Sequence, residues 1–401
     1  MKKTFARIGL IAGSILITLT ALEIVLRLTL PDPTSFTPDK IYDLDYGWRL
    51  PGHALTQTND LHGEQHVRRW TNSLGFNDID HDTTRPSGVR RILFVGDSFT
   101  EGGFPLESSF VKRVESALIG RGGKWETLNM GMGGFGTAQE YKMWEKVGRQ
   151  FEPEIVVVMV CMDNDVSDNH PALSHINPRP YFVKKNGSLE FLPMDVASAE
   201  VSRSQNLSTR RPWYSDWLYH TYFWTLKRSA SVQMRARMRE SPSITRVMRS
   251  MGFWKAKEVN KDWEQFLTNL PADEQKIWDE AFDVTADIFR KFDVDTRRGG
   301  EKMLIVLIPS QVQVYDDLQQ FVQNFYVNFQ SAATDFTRPN ALLKQRLAGD
   351  SIPILDLLPA FRGHPGSDRL YFRHDGHWNP AGHSLAAQEI TAKFDRLGWT
   401  H

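Results

Sequence analysis

The chain has 401 residues, 41% of them hydrophobic and 24% charged, enough to bury a full core in one large domain with additions or in two domains. Lys+Arg and Asp+Glu are both 48, so no global field points to nucleic acid or a polyanionic partner. The single cysteine, Cys161, excludes an internal disulfide framework and a cysteine-rich metal site.

In chain order, Lys2, Lys3 and Arg7 precede an apolar stretch from Ile8 to Leu30 that only Glu23 and Arg27 interrupt. Residues 1–30 therefore read as a signal-anchor helix of about 20 membrane-spanning residues, with the basic end cytoplasmic. Glu23 and Arg27 are spaced i,i+4 and can neutralise each other near the far interface. A cleaved signal peptide is the competing reading, although Leu19-Thr20-Ala21 lacks a small first residue for cleavage. An amphipathic soluble helix is the third reading; the first two put the remaining chain outside the cytoplasm, and the anchor makes the membrane a partner. Pro31 to Pro38 cannot continue the helix and serves as a linker. Residues 40–90 carry turns and aromatics, and read as a lead-in packed on the main domain. Within them, metal or tetrapyrrole ligation by His53, His62 or His66 is disfavoured, because Gly63 and the lack of helical patterning break the 62/66 spacing.

From residue 91 strands and helices alternate. Ile92–Val95 is a short buried strand, Phe110–Leu118 has helical spacing, and Glu126–Met130 is a second strand. The sequence predicts that Thr137 caps the helix Ala138–Val147, with Glu140 closing a capping box. Ile155–Cys161 is the clearest buried strand, and Cys161 reads as a buried strand residue. The alternation predicts an α/β fold: a doubly wound, mostly parallel sheet in a three-layer α/β/α arrangement. Residues 166–300 break the rhythm and read as a largely helical insertion, with a hairpin at Lys185-Asn-Gly187. Trp213–Arg239, basic and aromatic, suits an anionic membrane surface, an acidic glycan or simply a solvated helix over the core. Ile277–Phe292 reads as core. The sheet resumes at Met303–Ile308, helices are expected near Asp316–Phe329 and Asn340–Leu347, and Ile352–Leu355 is the last strand. Asn379-Pro380 is an N-cap and first-turn proline for a helix reaching Leu397, which leaves Asp375 and His377 on the loop before it.

The stretch Arg91-Ile-Leu-Phe-Val-Gly-Asp-Ser98 organises these pieces, since Gly96-Asp-Ser98 ends a buried strand where open α/β sheets bind ligands. Alone that tripeptide reads first as a surface turn. Together with Asn129-Met-Gly-Met-Gly-Gly134, Asn164-Asp165 and Asp375-Gly-His377, in that order, it resembles the block pattern of the SGNH, or GDSL-type, hydrolases, whose flavodoxin-like fold is then expected for residues 91–401. Thr71-Asn-Ser-Leu-Gly-Phe76 and Asp375-Gly-His-Trp-Asn-Pro-Ala-Gly-His383 resemble a membrane-anchored bacterial branch associated with cell-surface polysaccharide modification. Met162 stands where the third block usually has glycine. The Asp–His spacing of two resembles O-acetyltransferase-like members more than plain esterases.

The resemblance makes Ser98 the nucleophile, His377 the base and Asp375 its orienting acid. The N–H groups of Ser98 and Gly134 and the Asn164 amide become oxyanion donors. Independently, a serine hydroxyl needs a base within hydrogen-bond reach, an acid beside that base to fix its tautomer, and preorganised donors for the developing oxyanion. His374 reads as a structural neighbour, His383 as a residue of the last helix, and Asp163 and Asp165 as turn formers. Gly131-Met-Gly133-Gly-Phe-Gly136 also satisfies a dinucleotide fingerprint, with Asp163 near the ribose-binding position, but that reading leaves Ser98 and His377 without a role. A glycan-binding protein without catalysis is a further alternative. The reading adopted is an acyl ester hydrolase or O-acyltransferase with no cofactor and no metal, acting on an ester-bearing glycan or lipid and most simply on O-acetyl groups of an envelope or exported polysaccharide.

Overall fold

The apolar run Ile155–Cys161 is the middle strand of a five-stranded parallel sheet. The structure, a computed structural model, describes residues 2–29, 36–59, 64–102, 105–176, 178–200, 221–240, 247, 251, 261–330, 333–365 and 369–400. The sheet strands are β1 (Arg90–Gly96), β2 (Trp125–Gly131), β3 (Ile155–Cys161), β4 (Lys302–Ile308) and β5 (Ile354–Asp356). They lie in the order β5-β4-β3-β1-β2 with every neighbouring pair parallel. This is the flavodoxin-like order, whose switch point falls between β1 and β3.

Alternation along each strand feeds two cores. Val156, Val158 and Val160 of β3 join Val95, Met130 and Leu307 on one face, under the helices Thr137–Lys146 and Ala272–Gly299. Ile155, Val157, Met159 and Cys161 join Phe94 and Val306 on the other, under Phe110–Ile119 and Pro380–Arg396. A strand covered on both faces requires such a continuous apolar run. The helix Ala272–Gly299 sends Trp278, Phe282, Phe289 and Phe292 into the first core. The expected insertion 166–300 therefore stops short of this helix, which is the β3-to-β4 crossover of the sandwich itself. Its aromatic stripe at helical spacing is what a sheet-covering helix needs.

Lys185-Asn-Gly187 turns the antiparallel hairpin Tyr181–Lys185/Ser188–Leu192, with φ +52° at Asn186 and +80° at Gly187, as a two-residue primed turn requires. The lead-in contributes Trp48, Leu50 and Phe76 to the first core. The expected capping box at Thr137 is corrected: the helix begins at Thr137 itself with Gly136 as its cap. Asn169 Oδ1 accepts from the Ala138 N–H at 3.0 Å, and Glu140 is fully buried instead. The expected helix Asp316–Phe329 is two, Asp316–Phe325 and Val327–Gln330.

The chain divides into two compact units. One, residues 1–37, 57–67 and 204–254, includes the helix Lys2–Thr29 and the helix Tyr222–Glu240. The other, residues 38–56, 68–203 and 255–401, holds the sheet. Most of the proline linker, His62 and residues 213–220 of the basic aromatic stretch lie outside the described residues.

Candidate active site

β1 ends at Gly96, where a Cβ would sit 2.1 Å from Thr100 Oγ1 and 2.9 Å from Met159 Cβ. That close approach lets the chain turn tightly off the sheet. Asp97 then caps the one-turn helix Ser98–Glu101, its Oδ1 accepting from the Phe99 N–H at 2.9 Å. Ser98 is the first helical residue, held half-buried at the C-terminal edge of the sheet.

The partner loop is built by aromatic packing. Trp378 is fully buried, with ring centroids 5.3 Å from Phe99, 5.8 Å from Phe110 and 5.2 Å from Phe361. Tyr371 pairs with Trp378, and the Phe372 N–H donates to the His377 carbonyl at 2.9 Å. Gly376 adopts φ +85° at the tip, a conformation that favours glycine. Asn379 Oδ1 accepts from the Ala381 and Gly382 N–H groups at 2.9 and 3.1 Å and starts the last helix. The turn thus aims Asp375 and His377 back over the sheet edge.

There the three side chains form one hydrogen-bonded chain. Ser98 Oγ lies 2.8 Å from His377 Nε2, and His377 Nδ1 lies 3.1 Å from both Asp375 oxygens. Burial opposes protonation of the imidazole, but the hydrogen bonds and charge of Asp375, with Asp97 and Glu101 adding, outweigh it and raise its pKa above the ordinary histidine value. The competing histidine, His383, is buried in the last helix with Nδ1 accepting from the Phe110 N–H at 3.2 Å. Burial holds its pKa down to about 3, so it stays neutral and structural.

Gly134 and Asn164 follow β2 and β3, the two neighbours of β1 in the sheet. The structure puts them on loops flanking β1, the strand that leads into Ser98, rather than in hydrogen bonds with Ser98. Gly134 has φ +79°. The loop beside it is fastened by two contacts: the Gly133 N–H donates to Glu101 Oε2 at 2.7 Å, and Trp48 Nε1 donates to the Gly133 carbonyl at 3.2 Å. Arg69 in turn holds Glu101. Asn164 Nδ2 donates to Asp168 Oδ2 at 2.9 Å, and Asp168 Oδ1 is paired with Arg179 and accepts from Ser174, each at 3.0 Å. This fixes the Asn164 amide while leaving its second hydrogen, among the described residues, a 3.5 Å contact to Asp165.

Sequence reasoning missed Asp97, Glu101, Asp168 and Arg179, which position the site without belonging to its motif blocks; only Asp97, inside Gly-Asp-Ser, carried a local signal. Asp165, expected as a turn former, is buried and accepts from the Cys161 N–H at 2.7 Å. The same geometry disposes of the dinucleotide fingerprint. A carboxylate already takes the Gly133 N–H, and a Cβ on Gly136 would meet Asp168 Cβ at 2.9 Å. A pyrophosphate needs these backbone donors free of negative charge.

Residues 272–400 match the family model described as "SGNH hydrolase-like domain, acetyltransferase AlgX". The matched segment contains Asp375 and His377 but not Ser98, Gly134 or Asn164. No curated protein matches the chain at a significant level. Solved structures similar to the chain include the acetyl xylan esterase AlAXEase, at 12% identity over 75% of this chain and 98% of that one, with TM-score 0.37. A catalytic mutant of Axe2, an acetylxylan esterase from Geobacillus stearothermophilus, shares 13% identity over 76% and 93%, with TM-score 0.38. The lipase/acylhydrolase from Enterococcus faecalis shares 13% over 77% and 96%, with TM-score 0.38. At these identities and scores none of the three bears on this chain's chemistry.

Proposed function

We propose that this chain, an SGNH hydrolase-like protein, is a serine-dependent acyl ester hydrolase or O-acyltransferase acting through an acyl-Ser98 intermediate. The observation that carries the reading is the unbroken relay of 2.8 and 3.1 Å contacts from Ser98 through His377 to Asp375. His377 Nε2 takes the Ser98 proton as Oγ attacks the ester carbonyl. Asp375 stabilises the imidazolium so formed and keeps Nε2 toward the serine. Negative charge on the carbonyl oxygen is met by the N–H groups of Ser98 and Gly134 and by the Asn164 amide. Collapse breaks the ester C–O bond, and the departing alcohol takes the proton from His377. A second hydroxyl then attacks acyl-Ser98 with His377 again as base: water gives an acid, a sugar hydroxyl gives a new ester.

O-acetyl groups on an envelope or exported polysaccharide are the substrate we favour, on the match of residues 272–400 to an acetyltransferase-associated domain and on the apolar N-terminal helix. The helix Lys2–Thr29 would anchor the protein with its basic end cytoplasmic and the catalytic unit beyond the membrane. The test is labelling with a fluorophosphonate probe followed by peptide mapping. Modification confined to Ser98, and lost in His377→Ala, is expected; a folded protein that resists labelling would sink the proposal. Acetate release in water against transfer to an oligosaccharide then separates hydrolase from transferase.

A further inference from the structure

The segment Lys261–Phe266 is fastened to the loop that follows β3. Trp263 Nε1 donates to Asp163 Oδ1 at 2.7 Å. Gln265 Nε2 donates to the carbonyls of Met162 and Asp163 at 3.0 and 3.2 Å. Behind them, Asp262 accepts from Ser167 Oγ at 2.6 Å and pairs with His175 at 3.2 Å. Trp263 is thereby held beside the residue immediately before Asn164.

Trp263 and Tyr326 flank the apolar cluster of Phe266, Val322 and Phe329, yet both stay only partly buried. Trp263 is only half-buried, and its ring meets Tyr326 edge to face, with centroids 5.7 Å apart at 82°. Asp163 is half-buried too. The indole holds Oδ1, while Oδ2 carries no hydrogen bond among the described residues. Burial raises the Asp163 carboxyl pKa to about 6, opposed by the Trp263 hydrogen bond and by His377 and reinforced by Asp262 and Asp97, so above that pH it is a carboxylate. An aromatic pair beside an acceptor-only carboxylate matches a pyranoside: the ring offers an apolar face to C–H groups, and the carboxylate takes hydroxyl hydrogens. An acyl chain leaves the carboxylate unpaired, and an anionic group is repelled by it.

We propose that Asp163, Trp263 and Tyr326 form a sugar-binding subsite that seats a neutral pyranose ring next to the acyl position at Ser98. Asp163 Oδ2 accepts from one of its hydroxyls, and Trp263 both packs on the ring and orients the carboxylate. The proposal rests on the esterase or transferase reading of Ser98. It adds that these residues give the enzyme its preference for glycan esters over small ones.

The full chain in detergent is assayed with chemically O-acetylated cellohexaose and with 4-methylumbelliferyl acetate. Trp263→Ala is expected to raise KM for the hexaose about tenfold, with a smaller change in kcat, and to lower the hexaose-to-small-ester ratio of kcat/KM by about as much. Trp263→Phe, which keeps a ring but not the N–H, should recover most of that ratio, and Asp163→Asn should lower it severalfold. A parallel loss on both substrates would reduce Trp263 to a prop for the Asn164 loop and overturn the subsite. Wild-type protein that cleaves the small ester without preferring the hexaose would overturn it too, leaving the serine chemistry standing. Failure on both substrates, with Ser98 unlabelled, would instead remove the catalytic reading on which the subsite depends.

Discussion

Ser98 Oγ has two acceptors in reach, His377 Nε2 at 2.8 Å and Asp97 Oδ2 at 3.4 Å, and the shorter contact is the one that can take its proton at neutral pH. Burial pushes the Asp97 carboxyl up to about 6, and its Oδ1 is committed to capping, so Asp97 shapes the turn. Asp375→Asn is therefore expected to leave the fold intact and to lower kcat by roughly 10³–10⁴. The pH profile separates its two effects. His377 must be neutral to act as a base, and its pKa is raised, so the acid limb of kcat/KM in the wild type should lie above pH 6.5. Removing the Asp375 charge should move that limb down; an unmoved limb would mean that another group titrates there. Asn164→Ala removes one proposed oxyanion donor and should cost roughly 10²–10³ in kcat, about 3–4 kcal/mol, with a much smaller effect on KM. Equal losses for Asn164→Ala and Asn164→Asp would agree with a donor role. Near-wild-type kcat in the alanine variant would assign the amide to Asp168 alone.

At the scale of elements, the turn Tyr371–Trp378 holds His377, the proposed base, and its geometry depends on one backbone conformation. A side chain at Gly376 meets φ +85° at a cost of roughly 1–2 kcal/mol, and its Cβ would come within 3.2 Å of Gln311 Nε2. Gly376→Ala should lower the melting temperature by a few degrees and reduce kcat by more than that instability explains, because relief of the strain rotates His377 away from Ser98. A variant that loses stability while keeping kcat would show the turn to be tolerant. This turn also marks where the sequence was legible. Asn379-Pro380 revealed the helix start, and β1, β3 and β4 were visible as apolar runs, because strands buried on both faces leave no polar residues to confuse the pattern. The Gly-Asp-Ser and Asp-Gly-His residues could be placed at strand ends and loop tips for the same reason. What stayed hidden was long-range pairing. Nothing local marks Glu101 as the acceptor of the Gly133 N–H, Asp168 as the anchor of Asn164, or Asn169 as the cap that displaced the expected Thr137 box. The aromatic helix Ala272–Gly299 read correctly as core but was assigned to the insertion, because periodicity gives a helix its apolar face without saying which sheet it covers.

For the whole molecule, the helix Lys2–Thr29 is about 42 Å long at 1.5 Å per residue, enough to cross the roughly 30 Å hydrocarbon layer. Its apolar side chains, Leu10 and Leu28 among them, are exposed, and the Glu23–Arg27 pair closes at 2.8 Å. Removing residues 1–30 should shift the protein from the membrane fraction to the soluble one without loss of small-ester activity; retention in the membrane would point to a second attachment. The pH dependence of stability is set elsewhere, under the site. Burial raises the carboxyl pKa values of Asp97, Glu140 and Asp165 above their ordinary range, and the nearby carboxylates raise those of Glu140 and Asp165 further. Both Glu140 oxygens are buried without a hydrogen-bond partner among the described residues. A folded-state pKa above the unfolded one means that the folded protein binds more protons, so stability falls as pH rises from the unfolded carboxylate value toward the folded one. His377, also raised, works in the same direction. His383, held down to about 3, works the other way below about pH 6.5, so the melting temperature should decline between about pH 6.5 and 8. Glu140→Gln keeps the shape and removes the titration, so its decline should be shallower and its melting temperature at pH 8 higher than wild type. Parallel curves would mean that Glu140 does not gain a proton on folding, and that the site tolerates the full charge of its buried carboxylates.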